Sequence, residues 1–72
     1  MNRRTVAEYA IGTRTLTVDL CWEGADVNAD ACRFYDIYDE HGACVNLGDP
    51  WYDDEQGVPT LEDVRCLVGG ET

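Results

Sequence analysis

Thr15-Leu16-Thr17-Val18-Asp19-Leu20-Cys21-Trp22 alternates apolar and polar side chains at a period of two. One face of this stretch carries the apolar residues Leu16, Val18, Leu20 and Trp22, and the other carries Thr15, Thr17, Asp19 and Cys21. Strict alternation of this kind is typical of a β-strand with one buried face. We therefore predict that residues 15–22 form the strand on which the core is built.

A first hairpin is predicted upstream of this strand. Residues 6–11 are apolar enough to pair with it, and Gly12-Thr13-Arg14 supplies a tight turn, because glycine reaches the backbone conformations that hairpin loops need. Residues 23–31 are dense in turn-forming residues and read as a surface loop. For residues 1–4 the sequence leaves both an ordered strand and a loose tail open.

A second hairpin and a helix complete the prediction. Residues 32–38 are rich in aromatic and β-branched side chains, residues 39–42 form a turn, residues 43–47 return as a strand, and residues 48–57 are a loop. A helix is predicted from Thr60, which forms a capping box with Asp63. Its apolar stripe is Leu61, Val64, Leu67 and Val68, and Gly69-Gly70 ends it.

The length and composition indicate one small domain over residues 1–72. A chain of this length buries only about 60% of its unfolded surface, and a hydrophobic content of 44% is enough for a thin core. The predicted fold class is α+β, with a small antiparallel sheet of three or four strands, built from two hairpins, and one short C-terminal helix across a face.

The charge is strongly negative and unevenly distributed. Fifteen Asp and Glu oppose five Arg, with no Lys and no Ser, for a net charge of −10. Residues 1–14 are locally +2, whereas the remaining residues carry −12. Such a surface repels nucleic acid and anionic lipid and attracts a basic protein surface. We therefore expect no direct nucleic-acid partner and no membrane partner.

No stretch approaches the ~18 apolar residues of a membrane span. The N-terminus lacks the apolar core and the cleavage site of a secretory signal. These observations predict a cytoplasmic location.

The four cysteines, Cys21, Cys32, Cys44 and Cys66, are spaced at intervals of 11, 12 and 22 residues. Zinc sites usually place two ligands two to four residues apart, so this spacing does not favour zinc. Two disulfides are a second reading, and reduced thiols packed as small hydrophobic residues are the one we favour.

Elimination argues against an enzyme. Without Ser or Lys the chain has no Ser-His-Asp triad, no Schiff-base lysine and no phosphate-binding Gly-Lys loop. His41 lies near Cys44 at a predicted turn, where a pocket that excludes water is not expected. The acidic loop does not have the EF-hand spacing. We expect no catalytic residue, no cofactor and no metal site.

The candidate site is a set of acidic and aromatic residues in two predicted loops. Aromatic side chains ringed by charge are typical of protein–protein hot spots, although Trp51 is equally suited to capping a thin core. The predicted partner-binding residues are Asp39, Glu40, Asp49, Trp51, Tyr52, Asp53, Asp54 and Glu55.

The sequence predicts a non-catalytic acidic module that occupies a basic surface of a nuclease or a nucleic-acid-binding complex, as an inhibitor or a nucleic-acid mimic. Small acidic inhibitors of phage and mobile-element origin, including anti-CRISPR proteins, are comparable in charge and size only. The alternative is a housekeeping protein of a halophile, because an acidic surface without Lys also suits molar salt, where repulsion is screened.

Overall fold

A computed structural model describes residues 2–26 and 33–69. It contains one four-stranded antiparallel sheet in the order β1-β2-β3-β4. The strands are Asn2–Ile11 (β1), Arg14–Trp22 (β2), Phe34–Tyr38 (β3) and Trp51–Tyr52 (β4), followed by a single helical turn Asp53–Gln56 (α1) and the helix Leu61–Gly69 (α2). The predicted α+β fold with a C-terminal helix is therefore confirmed, and α1 is an addition to it.

The first hairpin forms as predicted, with a longer first strand. Ile11 pairs with Arg14 across the turn, where Gly12 has a φ of +63°, a left-handed value that favours glycine. Strand β1 begins at Asn2, so residues 2–4, for which a strand and a tail were both open, belong to the sheet. A bulge interrupts the β1–β2 register between Thr5 and Ala7.

The core lies between one face of the sheet and α2. The alternation of β2 places its apolar residues on this face, β3 adds Tyr35 and Ile37, and α2 contributes Val64 and Val68. Burying each side chain of this size is worth about 1.5–3 kcal/mol. The buried cluster consists of Leu16, Val18, Leu20, Tyr35, Ile37, Val64 and Val68.

The predicted capping box fixes the start of α2. The Asp63 N–H donates to Thr60 Oγ1 at 3.2 Å, and the Thr60 N–H donates to Asp63 Oδ2 at 2.9 Å. Within the predicted apolar stripe, Val64 and Val68 are buried and Leu67 packs partly against the core, whereas Leu61 is exposed.

The prediction of a return strand at residues 43–47 is wrong. Only Cys44 makes a bridge, to Tyr38, and residues 45–48 form a turn in which the Val45 N–H is the only backbone group that still bonds to the backbone of β3, at the Ile37 carbonyl. The side chain of buried Asn46 instead hydrogen-bonds to the backbone at the outer edge of β3. Its Oδ1 accepts the Ile37 N–H at 3.1 Å, and its Nδ2 donates to the Tyr35 carbonyl at 3.0 Å. The paired strand is β4, inside the stretch predicted as a loop.

The predicted loop at residues 23–31 is described only to residue 26, and the chain bends at residues 23–25. Residues 27–31 of that loop, and Cys32, lie outside the described residues. Neither described helix is long and apolar enough to cross a membrane.

Candidate functional site

The structure divides the predicted partner-binding residues between two places. Asp39 and Glu40 lie in the turn after β3, whereas Asp49 lies just before β4 and the others lie in β4 and α1. Some of these carboxylates already form hydrogen bonds or ion pairs within the chain, and others do not. Only the carboxylates without such bonds are fully available to a partner.

The turn carboxylates are engaged by the backbone and by Arg14. Asp39 Oδ1 accepts the His41 and Ala43 N–H groups, both at 2.9 Å. These hydrogen bonds, the one from Ala43 above all, lower the pKa of Asp39. Arg14 lies 3.5 Å from Asp39 Oδ2 and 3.9 Å from Glu40 Oε2. This pair of acids therefore stabilises the turn and its contact with β2.

Asp53 is bound by two side chains, that of Tyr35 in β3 and that of Arg33, the residue before β3. The Tyr35 hydroxyl donates to Asp53 Oδ1 at 2.6 Å, and Arg33 donates to Asp53 Oδ2 through Nη2 at 2.8 Å and Nε at 3.1 Å. The Tyr35 hydrogen bond, followed by Arg33, lowers the pKa of Asp53, while burial raises the pKa of Tyr35 to about 12. Asp53 therefore anchors the start of α1 to the sheet.

Trp51 packs inward. Its side chain is half-buried against the core cluster, and its Nε1–H donates to the Gly57 carbonyl at 2.9 Å. This contact closes the turn after α1 over the edge of the core. Of the two interpretations open for Trp51, the geometry matches the core-capping one.

The remaining predicted residues face solvent. Tyr52 pairs with Phe34 on the sheet face opposite α2 and is 38% exposed. Asp49, Asp54 and Glu55 are exposed, and their side chains make no hydrogen bond or ion pair within the described part of the chain. Three exposed carboxylates without an internal partner in the described chain therefore lie within three residues of one exposed aromatic side chain in the sequence.

Leu47 joins this group, although it is not among the predicted partner-binding residues. It is 85% exposed, more than any other exposed large hydrophobic residue of the described chain. Leu47 lies two residues before Asp49, in the turn that the Asn46 side chain ties to the outer edge of β3, and β4 pairs with the same edge. The signal available in the sequence was the turn-forming run Asn46-Leu47-Gly48-Asp49. We name the set Leu47, Asp49, Tyr52, Asp54 and Glu55 the β4 surface.

The backbone of β4 offers little to a partner strand. Tyr52 pairs with Phe34, and the Asp53 N–H donates to the Arg33 carbonyl at 3.0 Å. Because hydrogen-bonded positions alternate along an antiparallel strand, the Tyr52 backbone groups point away from β3. The preceding Pro50 has no N–H to donate. Of the two residues of β4, only Tyr52 therefore presents its backbone N–H and C=O at the open edge of the sheet.

Within residues 2–26 and 33–69, no three side chains of His, Cys, Asp or Glu converge as metal ligands. The three cysteines described there, Cys21, Cys44 and Cys66, are free thiols. Burial, reinforced by the neighbouring Asp36 carboxylate, raises the pKa of Cys21 to about 11, so this thiol stays protonated near neutral pH.

The chain was compared with protein-family models, with curated proteins and with solved structures, and no family model, curated protein or solved structure matches it.

Proposed function

We propose that this chain is a non-catalytic, acidic protein-binding module whose β4 surface occupies a basic surface of a nuclease or another nucleic-acid-binding protein and blocks it. The observation that carries the proposal is the set of unpaired carboxylates close to exposed Tyr52 in the sequence. The proposal includes a cytoplasmic location, where such proteins meet nucleic acid.

The internal ion pairs support this assignment. Four of the five arginines bind carboxylates within the chain: Arg3, Arg14, Arg33 and Arg65. These pairs involve the acids of the sheet face, the β3 turn, the start of α1 and helix α2, and they leave those of the β4 surface unneutralised. Among the described residues, three of the unpaired carboxylates are therefore grouped at residues 49–55, where an aromatic side chain is also exposed.

This combination suits a basic protein better than nucleic acid. A phosphate backbone is bound by Lys or Arg side chains that displace its counterions. The β4 surface has no Lys or Arg. A basic partner is instead steered toward the carboxylates, which raises the association rate at low salt. Tyr52 then supplies short-range contact, as buried tyrosines do at interface centres.

The test is displacement of a fluorescent 30-base-pair duplex from four purified proteins. They are a type II restriction endonuclease, an RNA-guided nuclease, a nucleoid-associated DNA-bending protein and a DNA-degrading nuclease. We expect the chain to displace the duplex from at least one of them. Failure to displace the duplex from all four contradicts the proposal.

A charge-matched pair of variants locates the contact. Glu55→Lys changes the β4 surface, and Glu8→Lys makes the same charge change on β1, where Glu8 is also exposed and without a partner in the described chain. We expect Glu55→Lys to slow association about three- to tenfold more than Glu8→Lys does. Equal slowing by both variants would show that net charge alone acts and that the β4 surface is not the contact.

A further inference from the structure

We infer that Leu47 is the apolar anchor of the β4 surface, and that the partner is a protein with an apolar pocket, sized for a leucine side chain, within its basic surface. This inference rests on the proposed function and specifies the recognition chemistry of that site. It distinguishes binding that requires a complementary apolar pocket from binding by charge alone, for which any polycation would be a partner.

The exposure of Leu47 sets it apart. At 85% it compares with 37% for Leu61 and 46% for Val58, which are also exposed. Leu47 does not belong to the core cluster or to the side chains packed against it. The fold therefore gains nothing from a large apolar side chain here, whereas a partner that buries it gains its full transfer free energy.

Hydrogen bonds to β3 and within the turn fix the backbone that carries Leu47. The buried Asn46 amide bonds to both Ile37 and Tyr35 on β3, as described above. The Val45 N–H donates to the Ile37 carbonyl at 2.8 Å, and the Asp49 N–H donates to the Asn46 carbonyl at 3.0 Å. Leu47 is thus presented on a pre-organised backbone, which reduces the ordering cost of binding.

The carboxylates that flank Leu47 in the sequence indicate the charge of the partner around its apolar pocket. Asp49 lies two residues beyond Leu47, and Asp54 and Glu55 follow β4 on the same edge of the sheet. A complementary surface carries Lys or Arg around an apolar centre, which is the arrangement of a polar rim around a dry interface core. Nucleic acid offers no such basic rim, and an anionic membrane repels the carboxylates.

The experiment is surface plasmon resonance on whichever of the four proteins the chain binds most tightly in the displacement assay. Leu47→Ser is compared with Leu61→Ser, the same chemical change at an exposed leucine on α2. We expect Leu47→Ser to raise the dissociation rate about tenfold or more with an association rate unchanged within about twofold, because burying a leucine is worth roughly ten- to hundredfold in affinity. Leu61→Ser should leave both rates unchanged.

Salt and a conservative variant sharpen the result. Raising KCl from about 0.1 to about 0.5 M should slow association of the wild-type chain, because salt screens the charges. The ratio of the dissociation rates of Leu47→Ser and wild type should not change, since an apolar contact is not screened. Leu47→Met, which keeps a similar volume, should retain binding. A thermal melt of each variant within a few degrees of wild type confirms that folding is intact.

The outcomes separate the two proposals. If Glu55→Lys weakens binding and Leu47→Ser does not, the proposed function stands and the anchor is overturned. If Leu47→Ser and Leu61→Ser weaken binding equally, the anchor is also overturned, because the loss is not specific to the β4 surface. If none of the four proteins binds, the proposed function fails and the anchor fails with it.

Discussion

Asp19 on β2 and Asp36 on β3 lie directly opposite each other, on the sheet face away from α2. Like charges in this position destabilise an antiparallel pair. Arg3 on β1 bridges them, with Nη1 at 3.7 Å from Asp19 Oδ2 and Nη2 at 3.1 Å from Asp36 Oδ2. Arg3 also donates to the Tyr38 hydroxyl at 2.9 Å, so one cation connects β1, β2 and β3.

Removing this bridge should destabilise the sheet. We expect Arg3→Gln to lower the free energy of unfolding by about 1 kcal/mol, measured by urea denaturation. The loss arises because Asp19 and Asp36 then repel each other without a cation between them, and it is small because exposed ion pairs are individually weak. Adding Asp36→Asn to Arg3→Gln should recover most of the loss. A double variant less stable than Arg3→Gln alone would contradict the bridging role.

Asn46 is expected to be the most sensitive polar residue of the fold. Asn46→Ala leaves the buried Ile37 N–H without its acceptor, and we expect a loss of about 2–3 kcal/mol in the free energy of unfolding. Leu47→Ala at the neighbouring, exposed position is the control and should change it by less than about 0.5 kcal/mol. Urea denaturation of both variants measures the difference. Equal effects at the two positions would refute the role given to the amide.

The anchoring of Asp53 should appear in the pH dependence of stability. Its pKa is lowered in the folded chain by Tyr35 and Arg33, so its contribution is present above the unfolded-state pKa and is lost as the pH falls through the folded-state pKa. The penalty of Asp53→Asn should therefore be full at pH 7 and shrink below about pH 4. Chemical denaturation of both proteins at each pH measures it. A penalty that is constant with pH, or that grows in acid, would contradict this account.

The thiols should differ in reactivity according to their burial. Cys66 is exposed, whereas Cys21 is buried with its pKa raised to about 11. We expect iodoacetamide to label Cys66 in the native protein and Cys21 only when urea unfolds it, as read by peptide mass spectrometry. Native labelling of both residues at similar rates would show that the Cys21 site opens readily.

Local patterns were sufficient for β2, the first hairpin and α2. The alternation of residues 15–22 and the Thr60–Asp63 capping box are properties of neighbouring residues, and the structure keeps them. They could be predicted because burial of a single face determines a period-two strand and because a cap is satisfied within one turn.

The outer edge of β3 could not be predicted in this way. Val45 and Leu47 alternate with polar residues as a strand would, but the Asn46 amide resembles a peptide group and takes the place of the backbone on β3. Likewise, Asp53 and Asp54 are adjacent residues of the same type, and they differ because Tyr35 and Arg33, distant in sequence, bind the Asp53 carboxylate. Both outcomes depend on tertiary contacts.

The central claim is that the acidity serves a partner rather than adaptation to brine. A thermal melt of the chain in KCl from about 0.1 M to about 3 M tests it most directly, since simple screening is nearly complete once the Debye length reaches ~3 Å near 1 M. The account predicts a cooperative melt at 0.1 M and little gain beyond about 1 M. Folding only as KCl rises through the molar range would contradict it and favour the halophile alternative.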